Sequence, residues 1–167
     1  ALLPPEVDLR LSVLGEGDLL PELRARAEAG APGRVEWLGQ VAMAEVPPHM
    51  AAADCLVLPS RHDGFGAVVS EALMAGTPAI ASHRCGASGI VMASGEGGVF
   101  PMGDARALAD LLARTVARGR VSGARRARLA AWAKSLAGAA GADYLARILA
   151  HSEGRGPRPT PPWLAAR

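Results

Sequence analysis

The chain has 167 residues, 50% of them apolar, and a formal net charge of +2 from 18 Lys and Arg against 16 Asp and Glu. That length and apolar share suit one domain with a core of its own, and so small a charge argues against nucleic acid or another polyanion as partner. Cys55 and Cys85 lack metal-ligand or CxxC spacing, no apolar run approaches the roughly 20 residues a bilayer span needs, and no leader pattern opens the chain, so a reduced, cytoplasmic domain is expected. The first residue is Ala1 rather than Met, as in a processed chain or a fragment.

Residues 1–5 read as a helix end closed by prolines, 9–14 as a strand, 15–17 as a turn, and 18–29 as a helix with Leu19, Leu20, Leu23 and Ala27 facing inward. Residues 35–38 predict a strand. Residues 44–53 predict a short helix that admits Pro47 and Pro48 only in its first turn. Two short apolar runs at 55–58 and 78–81, bounded by Pro and Gly, have the pattern of strands buried on both faces of a parallel sheet. Between them lie a polar loop with two glycines at 59–66 and a helix over 67–75, which Gly76 and Pro78 terminate. Further on, 99–100 predict a strand, 104–117 a helix capped by Asp104, and 121–150 two more helices. The Pro- and Arg-rich stretch 151–167 is expected to be disordered, leaving 1–150 as the folded domain. Alternation of strand and helix over the first two thirds predicts a doubly wound, Rossmann-like α/β parallel sheet. Scarce aromatics predict thin core side chains and close helix-to-sheet packing.

In such a sheet, ligands sit beyond the carboxyl ends of the strands, which directs attention to the loop at 60–66. Gly64 and Gly66 let a backbone approach a ligand, and the amides that open the next helix attract an anion. Asp63 precedes that turn and Glu71 is the only charge in the helix. Two carboxylates flanking a positive helix end suit a diphosphate with a sugar on one side and a ribose on the other. The plain alternative is that Asp63 caps the helix and Glu71 faces water.

The stretch PSRHDGFGAVVSEALMAGTPAIAS resembles the signature of family 4 glycosyltransferases with the GT-B fold, in which two acidic residues are separated by seven others, as Asp63 and Glu71 are. LSVLGEG at 11–17, RVEWLGQV at 34–41, MAAAD at 50–54 and GGVFPMGDARALA at 97–109 resemble further segments of that family in the same order. The resemblance implies the C-terminal, nucleotide-diphosphate-sugar-binding domain of a retaining enzyme that needs no obligatory metal and no other cofactor. It implies Asp63 at the donor sugar, in the catalytic position, and Glu71 at the ribose. Backbone groups of Gly64, Phe65, Gly66, Ala67 and Val68 would meet sugar and diphosphate. Gly39, Gln40 and Val41 would seat the base, and Gly15 and Gly17 would border the same crevice.

Departures accompany the resemblance. The family's first strand in this domain, with the loop bearing its phosphate-binding cations, is expected to be lacking, and Gly89 stands where the family often has Glu. Arg84 is a candidate substitute cation. An acid-free run between Leu111 and Ala142 holds six arginines and Lys134, either a solvated face or one that meets anionic lipid at the inner face of the membrane. The function implied is transfer of a hexosyl group to a saccharide or lipid-linked acceptor, completed by an N-terminal GT-B domain. The alternatives are a separate donor-binding subunit docking on a partner chain, and a non-catalytic remnant.

Overall fold

The computed structural model describes residues 2–3 and 7–165. In chain order the elements are β1 (Leu11–Leu14), α1 (Leu20–Gly30), β2 (Val35–Gly39), α2 (Val46–Ala52), β3 (Leu56–Leu58), α3 (Ala67–Met74), β4 (Ala79–Ser82), α4 (Ser88–Ser94) and β5 (Gly97–Phe100). There follow α5 (Ala105–Ala117), α6 (Gly123–Ala133), a 3-10 turn (Lys134–Leu136), α7 (Gly138–Ser152) and α8 (Pro162–Ala165). The helix end expected at 1–5 falls largely outside the described residues.

All strand pairing is parallel, and the expected Rossmann-like α/β arrangement is present in two pieces, β1-β2 and β3-β4-β5. Among the described residues no strand pairing joins the two pieces. Strand β4 is the centre of the larger sheet, and all of its residues are buried. Val69 and Leu73 of α3, Ile90 and Val91 of α4, and Leu129 and Ala133 of α6 pack with it into one core. Small side chains let the layers meet, as expected: a Cβ on Gly97 would overlap the Ala79 backbone, and one on Gly98 would overlap Leu111 of α5.

Strand β3 enters the sheet beside a polar tie. The Arg126 guanidinium donates to Thr77 Oγ1 at 3.0 Å and to the Ala53 carbonyl at 2.8 Å, and it lies 3.6 Å from the Asp54 carboxylate. Thr77 Oγ1 in turn donates to the Met50 carbonyl at 2.6 Å, joining α2 to the start of β4. Arg125 forks onto Glu96, so two of the six arginines expected on a basic face are engaged within the fold.

Two expectations are corrected. The inward face assigned to α1 is only partly covered: Leu20 and Ala27 are half-buried, whereas Leu19 is 65% and Leu23 45% exposed and no residue of α1 is fully buried, because a two-stranded sheet offers a helix too narrow a surface. The stretch 151–167, expected to be disordered, begins with the last turn of α7 and carries α8. Trp163 of α8 packs on the core and meets Tyr144 edge to face, with centroids 5.9 Å apart, which gives a proline-rich segment an aromatic anchor.

Candidate functional site

Because the strands of each sheet run parallel, the loops that follow them gather at the carboxyl edge of that sheet. The predicted site residues fall there in two clusters. The first joins the ends of β1 and β2: the Gly15 amide donates to the Gly39 carbonyl at 2.7 Å, and both glycines take positive φ, +116° and +67°. Gly17 accepts the Leu20 amide at 2.9 Å to open α1, Gln40 is exposed, and Val41 is half-buried.

The second cluster is the loop between β3 and α3. Its half-buried Asp63 turns back on its own loop, with Oδ1 accepting the Phe65 amide at 3.1 Å. Asp63 therefore does not cap α3. That position belongs to Gly66, which sits at φ +83°, a conformation that glycine adopts freely. With no side chain capping α3 and its first backbone bond made only at Val69, the amides of Ala67 and Val68 are left without an acceptor among the described residues. Phe65 is exposed beside them. Val69, Ser70, Ala72 and Leu73 turn inward, so Ala67, Glu71 and Met74 share the outer strip of α3. The rise of a helix places Glu71 about 6 Å along the axis from Ala67. Its carboxylate is exposed and makes no ion pair or hydrogen bond among the described residues.

The sequence reading missed what holds this loop. Loop 83–87, following β4, lies directly against it. The Asp63 amide donates to the Arg84 carbonyl at 3.2 Å, the Gly86 amide to the Asp63 carbonyl at 3.1 Å, and the Ala87 amide to the Phe65 carbonyl at 2.6 Å. Cys85 Sγ lies 3.4 Å from the Phe65 carbonyl, and Ser82 Oγ donates to the Ser60 carbonyl at 2.5 Å. The available signal was the Gly86 of CGASG, a small residue one turn beyond a buried strand.

Together His62, Asp63, Gly64, His83, Arg84, Gly86 and neighbours line a depression of about 390 Å³. His83 Nδ1 accepts the Met102 amide at 2.9 Å, which leaves the ring proton of a neutral imidazole on Nε2. Arg84 is exposed there with no acidic partner among the described residues. A larger depression of about 480 Å³ lies between α4 and α6, beside Glu96 at the amino end of β5, so it belongs to the opposite edge of the sheet. Among the described residues no hydrogen bond joins the two loop clusters, and no group of three His, Cys, Asp or Glu side chains is placed to hold a metal ion. Among the described residues no helix is long and apolar enough to cross a membrane.

The chain is 38% identical over 109 residues to the phosphatidyl-myo-inositol mannosyltransferase of Mycobacterium leprae, a match covering 63% of this chain and 28% of the relative. It is 35% identical over 152 residues to the D-inositol 3-phosphate glycosyltransferase of Xylanimonas cellulosilytica, covering 88% and 35% respectively. It thus spans about a third of the length of these relatives. Among solved structures, Anabaena Alr3699/HepE in complex with UDP superposes with a TM-score of 0.67 at 26% identity, over 80% of this chain and 37% of that one. The domain has the Rossmann-like fold of GT-B glycosyltransferases. The family model described as glycosyl transferases group 1 matches residues 1–118, and with its parallel sheet and strand-end glycine loop the chain belongs to that family.

Proposed function

We propose that this chain is the donor-binding half of a retaining glycosyltransferase, holding a nucleotide-diphosphate hexose between Asp63 and Glu71. The observation that carries the reading is the uncapped start of α3, with the amides of Ala67 and Val68 free and a carboxylate on either side. Its fold neighbour is described in complexes with UDP and with UDP-glucose. On this reading Asp63 Oδ2, which makes no hydrogen bond among the described residues, takes the hydroxyls of the sugar. Glu71 takes the ribose, and Gly39, Gln40 and Val41 seat the base beside Gly15 and Gly17.

Charge that grows on the diphosphate as the sugar–oxygen bond breaks would be met by the amides at the start of α3, which are fixed before reaction and need no reorganisation. The exposed Arg84, which lines the same depression as Asp63, is a candidate for a further cation. The reaction needs no metal. The acceptor, a saccharide or a lipid-linked sugar, is proposed to bind on an N-terminal GT-B domain or a partner chain. The exposed Arg114, Arg118, Arg120, Arg128 and Lys134 favour work at the inner, cytoplasmic face of a membrane.

Calorimetric titration with UDP, UDP-glucose, GDP and GDP-mannose tests the proposal. Glu71→Ala is expected to weaken the nucleoside diphosphate that binds by about tenfold or more, the loss for a hydrogen bond to a charged group. Binding that ignores this substitution removes the ribose assignment. A second reading, a remnant that keeps the fold without the ligand, is favoured by the solvent-facing Gly89, and silence toward all four probes would establish it.

A further inference from the structure

We infer that Gly86 is a positioning residue: the turn after β4 is the mould in which the Asp63 loop is cast, and it sets affinity for the sugar of the donor more than for its nucleotide. The inference rests on the donor-binding reading. Gly86 does not adopt the positive φ that favours glycine, so backbone conformation does not demand glycine there. Space does. A Cβ at this position would overlap the Gly64 carbonyl oxygen and stand 3.0 Å from Phe65 Cα, and both atoms belong to the backbone of the opposite loop.

The two turns are zipped by three backbone bonds, Asp63 to Arg84, Gly86 to Asp63 and Ala87 to Phe65, which form a parallel bridge at Asp63 and Cys85. Cys85 fills the remaining room. Its sulfur occupies the place a Cβ on Gly66 would take, within reach of the Phe65 carbonyl. Any methyl at residue 86 must therefore lift Gly64 and Phe65, and with them the Asp63 carboxylate that bonds the Phe65 amide. Glu71 and the body of α3 stand on Val69 and Leu73, fully buried in a core that Cys85 and Ala87 share but to which β4 and α6 also contribute, so the helix has supports beyond that turn. The sugar contact at Asp63 thus depends on the turn more than the ribose contact at Glu71 does.

The test uses Gly86→Ala in the full chain, with Gly89→Ala, which meets open space on α4, as the control. Amide exchange is read first, without ligand. In Gly86→Ala the amides of Asp63, Gly86 and Ala87 are expected to exchange about tenfold faster, the worth of a lost hydrogen bond, while β4 amides keep their protection. Titration with UDP, UDP-glucose, GDP and GDP-mannose follows. Affinity for the sugar nucleotide is expected to fall about tenfold or more, and that for the matching nucleoside diphosphate by clearly less. Unchanged exchange at the three amides overturns the inference, and so does an equal loss for nucleotide and sugar nucleotide.

If Gly86→Ala melts without a cooperative transition, Cys85→Ala and Cys85→Ser carry the same readings. Serine, which keeps a donor for the Phe65 carbonyl, is expected to restore the sugar-specific part. A parent chain that binds none of the four probes overturns the donor reading, and the exchange result alone then decides for or against Gly86.

Discussion

Cys55 opens β3 with its thiol directed at the Leu56 carbonyl, 3.3 Å away, and burial pushes its pKa up to about 12. An ordinary thiol ionises near 8.5. Because the raised value belongs to the folded state, the folded chain is favoured fully below the unfolded pKa, and that advantage is lost as pH rises toward 12. The melting temperature is therefore expected to fall between about pH 8.5 and 12, and the fall to be shallower in Cys55→Ala. Parallel melting curves for the two proteins would show that the thiol is not the cause. Arg125, by contrast, is raised by its hydrogen bonds to Glu96, but a guanidinium is charged at any accessible pH and contributes no such slope. Asp63 shows what single residues disclose in a sequence. Its type and place announced either a helix cap or a ligand contact, yet the carboxylate takes a local amide at Phe65, and the residues that brace it, Arg84 to Ala87, lie across the sheet where no spacing rule reaches.

Two helix starts carry side-chain caps, whereas α1, α2, α3, α4 and α7 begin without one. Asp104 Oδ1 accepts the Ala107 amide at 2.9 Å to begin α5, and Ser122 Oγ accepts the Arg125 amide at 3.3 Å to begin α6. Both are ordinary caps that stabilise their helices. Asp104→Ala is expected to cost about 1 kcal/mol in urea unfolding, with Asp104→Asn recovering most of it. An unchanged midpoint would mean that water replaces the cap. The start of α3 has no such residue, and the donors it leaves open are those the proposed diphosphate would use. The contrast was partly legible beforehand: Asp104 before an amphipathic segment reads as a cap, and glycines before an apolar helix read as an open start. The incomplete cover of α1 was not legible, since periodicity reports which residues share a face and never how fully a neighbour covers it. The same limit hid α8, whose Trp163 finds Tyr144 and the core only through the tertiary fold.

Cohesion is spread unevenly between the two sheets. The β3-β4-β5 sheet is buried between α3, α4 and α6, whereas β1 and β2 contain no fully buried residue, and Leu11 and Leu14 are exposed. The bond from Thr77 to the Met50 carbonyl, with the packing of α2 on α3, ties α2 and the segment before it to the core. Local opening follows buried contact, so β1, α1 and β2 are expected to open as one unit at a lower free energy than β4. Amide exchange across a series of low denaturant concentrations checks this. Two isotherms should appear, the weaker holding the amides of β1 and β2 and the stronger those of β4, and a single merged isotherm would refute the division. Thr77→Val should lower the weaker isotherm most, because it leaves the Met50 carbonyl and an Arg126 donor short of a partner. If the base of a donor rests on Gly39, Gln40 and Val41 while its phosphates rest on α3, a bound nucleotide bridges the two units. Saturating nucleoside diphosphate should then raise the weaker isotherm toward the stronger one. A ligand that protected only the loops around Asp63 would be held by the larger sheet alone, and the seat of the base would have to be sought elsewhere.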